Sequence, residues 1–110
     1  VTVGEHVVCL VTAPTAMARE IAAGVVESGL AACVNIVPTV ESIYRWEGRV
    51  EREEESLLVV KSTRAALEAL NAAVRAVHPY ENFELVALDV AGGSPAYLRW
   101  ISESVRPANP

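Results

Sequence analysis

The chain is 110 residues long, 52% hydrophobic and 21% charged, a composition that excludes a disordered chain. Its net charge of −5, from 9 basic and 14 acidic residues, excludes a nucleic-acid surface of clustered Lys and Arg and offers no attraction to anionic lipid. One domain is expected over 1–110, with its core from about 6 to 105 and a short tail from Arg106 to Pro110. His6 to Ala13 predicts an apolar first strand. Pro14-Thr15 opens a helix, with Thr15 as N-cap and Gly29 just past its end. Ala18, Ile21, Ala22 and Val25 form its apolar stripe, and Gly24 is expected to allow close approach to a sheet. Ala31 to Trp46 reads as a long strand rich in β-branched and aromatic residues, with a bulge or edge position at Pro38. Glu47-Gly48 is a tight hairpin turn, and Arg49 to Ser62 is the return strand. Thr63 caps a second helix that ends at His78, where Pro79 stops it. Glu84 to Val90 is the fourth strand. Ser94 and Pro95 take the N-cap and N1 positions of a short helix carrying Tyr97, Leu98, Trp100 and Ile101.

The order βαββαβ plus a C-terminal helix defines an α+β ferredoxin-like sandwich with both main helices on one face of an antiparallel sheet. A sheet wetted on its other face alternates apolar and polar residues. These strands do not. Val7 to Val11, Leu57 to Val60 and Leu85 to Leu88 are apolar on both sides. No further layer is expected from one chain, so the second face is expected to be covered by other copies, as a homo-oligomer.

Cys9 and Cys33 stand alone, with no CxxC or Cys/His pattern, and read as free thiols of a reducing compartment. No basic region precedes the apolar stretch that ends at Pro14, so neither a signal peptide nor a membrane span is expected, and the cytoplasm follows. The densest chemistry is His78-Pro79-Tyr80-Glu81, an imidazole, a phenol and a carboxylate at a helix exit facing a strand that starts near Glu84. His78 is a candidate metal ligand with Glu81 and Glu84. Equally, it is a helix terminator favoured by the helix dipole. Lys61 ends an apolar run and needs a partner, such as an anion in a cleft between subunits. Glu51-Arg52-Glu53-Glu54-Glu55 reads as a solvated strand segment that blocks aggregation. Tyr44, Trp46, Tyr97 and Trp100 read as interface anchors.

Thr12-Ala13-Pro14, Leu30-Ala31-Ala32-Cys33-Val34-Asn35-Ile36, Ser42-Ile43-Tyr44-Arg45-Trp46-Glu47-Gly48, Lys61-Ser62-Thr63, His78-Pro79-Tyr80-Glu81 and Tyr97-Leu98-Arg99-Trp100-Ile101 occur in this order. Together they closely resemble the CutA family of divalent-cation-tolerance proteins, from about Val7 to Val105. The resemblance implies a homotrimer of ferredoxin-like subunits, a link to tolerance of copper and other divalent ions, and no organic cofactor. It carries over His78 and Cys33 as family positions, with Lys61, Tyr80, Glu84, Trp46 and Trp100 at recurrent positions, several around an intersubunit cleft. His78, Glu81, Glu84 and Cys33 are therefore the expected metal residues, and Lys61, Tyr80 and Trp46 the expected ligand residues. Phe83 stands where the family usually has proline. Val11 and Val77 stand where some members have a cysteine and a second histidine, so any copper binding is expected to be weak.

An enzyme is not expected. No arginine-bearing anion loop follows the first strand, no nucleophile has an evident oxyanion donor, and no cofactor fingerprint is present. An RNA-recognition module needs aromatics and basic residues on its central strands, and a copper chaperone of this topology needs CxxC. The alternative is a small-molecule-sensing trimer resembling nitrogen regulatory proteins. Those carry a long loop where this chain has Glu47-Gly48.

Overall fold

The computed structural model describes residues 4–106. Four strands and three helices follow in the order β1 (His6–Ala13), α1 (Thr15–Glu27), β2 (Cys33–Trp46), β3 (Arg49–Thr63), α2 (Leu67–Val77), β4 (Leu85–Asp89) and α3 (Pro95–Ser104). The sheet order is β2-β3-β1-β4, with every pairing antiparallel. That is the ferredoxin-like sandwich expected from the sequence.

Period-2 alternation sorts β1 and β3 into two faces. Val7, Cys9 and Val11 on β1 and Leu58 and Val60 on β3 join Ala18, Ile21, Ala22, Val25, Leu70 and Val74 in one buried core beneath α1 and α2. Burying each large side chain contributes about 1.5–3 kcal/mol. The opposite face carries Val8 and Leu10 of β1, and Leu57, Val59 and Lys61 of β3, all half-buried. Val86 and Leu88 of β4, aligned with Leu10 and Val8, are 48% and 49% exposed. The second face is therefore apolar and largely open, as the unbroken apolar runs predict. One chain does supply part of a further layer, contrary to expectation. Leu98, Ile101 and Val105 form a second cluster with Ala32 and Ala66, and Ser102 bonds His6 at one end of that face.

Helix α1 ends in a Schellman motif. Leu30 N–H bonds the Val25 carbonyl at 2.9 Å, Gly29 N–H bonds that of Val26 at 3.1 Å, and Gly29 has φ +78°. Two cap assignments change. Pro14 occupies the N-cap of α1, and Thr15 is its first helical residue, whose hydroxyl accepts from Ser56 at 3.3 Å. Thr63 precedes a 3-10 turn, Arg64–Ala66, without a side-chain cap bond, so α2 starts at Leu67 and His78 is its C-cap. Ser94 holds the N-cap of α3 and Pro95 opens the helix, as expected, although the serine makes no side-chain cap bond. Gly24 faces solvent with nothing near its Cβ position, so it does not serve close packing on the sheet.

Pro38 marks a bulge, as expected. The register shifts between Val37 and Val40, and Ser56 donates to the Pro38 carbonyl at 2.6 Å. Beyond it, β2 and β3 continue without β1 as a two-stranded arm, closed by Glu47 (φ 49°) and Gly48 (φ 81°) in a type I′ turn. Arg106 N–H bonds the Gly29 carbonyl at 2.8 Å, and the remainder of the expected tail lies outside the described residues.

A Cβ on Gly29 would meet the Arg106 carbonyl oxygen at 2.5 Å, whereas nothing lies near that of Gly48. Gly29→Ala should therefore destabilise by about 2–3 kcal/mol and Gly48→Ala by about 1 kcal/mol. Urea denaturation of both variants at one protein concentration checks the order. Equal losses would remove the Arg106 contact from the account.

Candidate functional site

His78 leaves α2 with φ −73° and ψ 135°, the extended conformation that a following proline imposes. This turns its ring back onto β1. Nε2 lies 2.8 Å from the Thr12 carbonyl oxygen, and Nδ1 accepts from Tyr80 N–H at 3.1 Å. A carbonyl only accepts and an amide N–H only donates. The ring is therefore the neutral tautomer protonated at Nε2. It is 92% buried, stacked on Phe83 at 5.1 Å and tilted to Tyr80 at 5.0 Å. Thr12 lies one residue past the last β1–β4 pair, Val11–Leu85. His78 gives its carbonyl a donor where the ladder ends. Both ring nitrogens are engaged, so metal coordination would require one of these bonds to open.

Around this junction, Glu84 Oε1 accepts from Thr12 Oγ1 at 3.3 Å, and Glu81 is exposed. Burial, then the charges of Glu53 and Glu55, push the Tyr80 phenol up. Glu55 departs from the solvated strand expected for its run. It is only 5% exposed, whereas Arg52, Glu53 and Glu54 are exposed. The Tyr44 hydroxyl donates to Glu53 at 2.8 Å. That bond, with burial and the charges of Glu53, Glu51 and Glu55, pushes the Tyr44 phenol from the ordinary 10 up to about 12.

The other candidates lie elsewhere. Cys33, a free thiol, sits opposite Lys61 on β3, and Lys61 opposite Val8 on β1. Val8 is four residues from Thr12, or about 13 Å along the strand, so Cys33 does not join His78. Burial, followed by a contact with Cys33, pushes up the Tyr97 phenol. Trp46 is at the tip of the arm, exposed. Its cross-strand partner Arg49 is twelve residues from Lys61, about 40 Å of strand. Among the described residues, no group of three or more His, Cys, Asp or Glu side chains gathers in one subunit. A groove of about 480 Å³ lined by Arg64, Leu67, Glu68, Asn71, Leu85 and Ala87 contains none of the candidates.

A polar chain at the other end of β1 escaped the sequence reading. Ser102 donates to Glu5 at 2.8 Å and lies 2.8 Å from His6 Nε2. An ionised carboxylate only accepts, so the serine proton points to Glu5 and His6 donates to Ser102. This is opposite to a histidine acting as base on a serine. Nothing in the spacing of Glu5-His6 and Ser102 links them. Phe83, likewise unassigned, stacks on His78 and has the Arg75 guanidinium 5.3 Å from its centroid.

The fold and this junction define a ferredoxin-like subunit with one open sheet face and a projecting arm. The family model described as CutA1 divalent ion tolerance protein matches residues 7–104. A Thermus thermophilus protein named divalent-cation tolerance protein CutA is 50% identical over 98 residues, covering 88% of this chain and 95% of that one. An Arabidopsis thaliana protein named Protein CutA, chloroplastic, is 45% identical over 101 residues, 91% of this chain. The chain spans 56% of that plant relative and 64% of a Xenopus laevis one. The structure of CutA1 from Oryza sativa superposes with a TM-score of 0.92 at 39% identity, over 98% of this chain and 100% of that one. The chain belongs to the CutA1 divalent-ion-tolerance family. Among the described residues, no helix is long and apolar enough to cross a membrane.

His78→Ala should destabilise the protein by about 2–4 kcal/mol, because it orphans the Thr12 carbonyl and empties a stacked site. Urea titration measures this, and a loss below about 0.5 kcal/mol would show that the ring does not hold the junction. A phenol whose folded value is raised favours the folded state below pH 10 and loses that contribution as pH climbs toward 12, so Tyr44 should ionise last among the tyrosines. Phenolate absorbance of wild type against Tyr44→Phe isolates that step.

Proposed function

We propose that this chain works as a cytoplasmic homotrimer in the tolerance of divalent cations, copper among them, without catalytic turnover. The observation that carries this reading is the open apolar sheet face, from Val8 and Leu10 to Val86 and Leu88, which a lone subunit leaves in water. A second copy buries it. Tyr44, Trp46, Tyr97 and Trp100 are exposed in the single subunit and serve as anchors for a neighbour. Two free thiols favour a reducing compartment. The names of the relatives supply the link to divalent cations. The reversed proton order at Ser102 supports a binding role over a catalytic one.

A cation or small ligand binds weakly, in a cleft between subunits. Lys61 and Trp46 lie at opposite ends of a long ribbon, so a site that uses both draws them from different copies. Glu81 and Glu84, with water, are the donors nearest a cation at the His78 turn. His78 joins them only when its bond to Tyr80 or Thr12 opens. A mix of carboxylate and water with at most one imidazole binds weakly and suits borderline ions better than Cu(I).

Light scattering at micromolar concentration should give about three times the 11.8 kDa chain mass. A well-folded monomer sinks the assembly. Calorimetric titration with Cu(II) should give a defined stoichiometry that is lost in the double variant Glu81→Gln/Glu84→Gln. Heat without stoichiometry, or unchanged binding by that variant, removes the cation site.

A further inference from the structure

The open face carries one charge of each sign where it should be apolar. Leu57, Val59 and Lys61 alternate with the core residues Leu58 and Val60, so they point to the open face, and Glu55 falls on the same side two residues earlier. Glu55 is 5% exposed, and Lys61 is half-buried. Among the described residues no buried side-chain nitrogen or oxygen lacks a hydrogen-bond partner, so both charged ends keep contact with solvent in the lone subunit. A second copy laid on this face removes that solvent, and a charge it covers then needs a partner of opposite sign. Neither has one here. Among the described residues, no ion pair or hydrogen bond reaches the Glu55 carboxylate or the Lys61 ammonium. The charge of Glu55 acts on the phenols of Tyr44 and Tyr80, and its cross-strand partner is Val40, none of them cationic. Lys61 is flanked across the strands by Cys33 and Val8, neither acidic. Six residues separate the two charges, about 20 Å along β3, so they cannot meet within one subunit.

We propose that Glu55 of one copy pairs with Lys61 of the next, closing the assembly head to tail. The inference rests on the homo-oligomer proposed above and names the contact that sets its register. Opposite charges at opposite ends of one apolar face are complementary to a second copy of the same face. A ring built this way presents the acidic end of each subunit to the basic end of its neighbour. The apolar residues Leu57 and Val59 between the two ends supply the burial, and the paired charges reject slipped arrangements.

The test is charge reversal, read by native mass spectrometry and light scattering. Glu55→Lys and Lys61→Glu each place like charges together and should raise the dissociation constant of the oligomer by at least about tenfold. Combining both reversals in one chain restores opposite pairs and should recover the oligomer. Mixing the two single variants should give mixed assemblies in preference to either alone, since a mixed trimer has two attractive contacts and one repulsive one, against three repulsive contacts in either alone. Circular dichroism of each variant separates loss of assembly from loss of fold, and the double variant reports on pairing whichever single fails to fold. If the wild type is itself a monomer, both the oligomer and this contact fall. If the wild type assembles but the double reversal is no better than the two singles combined, and the mixture does not form mixed assemblies, the contact alone is overturned.

Discussion

The structure depends on a mismatch between what the sheet makes available for burial and what the helices cover. β1 and β3 are apolar on both faces, while α1 and α2 lie on one. The covered face closes a dense core of Val, Ile, Leu and Ala. The open face is held in water only by half-burial among its own neighbours. Helix α3 relieves the problem at one end, where Leu98 and Ile101 pack and Ser102 bonds His6. It does not reach Val86, which stays exposed. Everything that distinguishes this subunit from a self-sufficient sandwich follows: exposed aromatics, a projecting arm, and two charges without partners.

The His78 junction answers a different need. β4 is short, and its pairing with β1 stops at Val11–Leu85. The next carbonyl, that of Thr12, would be left without a donor, a costly condition near a buried core. Proline at 79 turns the chain out of the helix, and the imidazole then reaches the orphan oxygen while the Tyr80 amide satisfies its second nitrogen. A residue that reads in sequence as a ligand thus completes a sheet edge. Its two roles compete for the same lone pair on Nδ1. Binding a metal there would release Tyr80 N–H.

Much of the fold was legible because the signals were local. Pro38 as a bulge, Glu47-Gly48 as a tight turn and Gly29 past a helix end each follow from backbone restrictions that act within a few residues. The apolar runs showed that both sheet faces are apolar, since alternation is a property of one strand. The caps were harder. Thr15 and Thr63 have the right side chains in nearly the right places, but Pro14 and the 3-10 turn at Arg64–Ala66 shift the helix starts, and no hydroxyl bonds an end amide. The site was legible only as a list of residues. Which of them meet depends on strand register and on ring orientation, and neither is carried by residue type. Ser102 and His6 are bonded across 96 positions, with no pattern in between to announce it. The burial of Glu55 was hidden for the same reason: its run of acids looks uniform until the bulge and the sheet face assign each residue a side.

The arm carries this logic to its end. Past Pro38 it is two strands with no third beside them among the described residues, and an isolated hairpin of that kind is marginal in water. Its own pairings do little to help. Glu41 stands directly opposite Glu54, a like-charge pair that destabilises, and Ile43 and Val50 are 56% and 58% exposed. The tight turn sets the geometry but adds no buried area. A ribbon that is weak in its own contacts, yet rich in exposed Tyr, Trp, Ile and Val, has most of its stabilising surface still unused. That surface contributes only when something lies against it, so in the proposed oligomer covering the arm and covering the open sheet face are parts of one association step. The ligand candidates divide along the same line. Those at the His78 turn belong to one subunit's sheet edge, and Trp46 stands exposed at the tip of the arm.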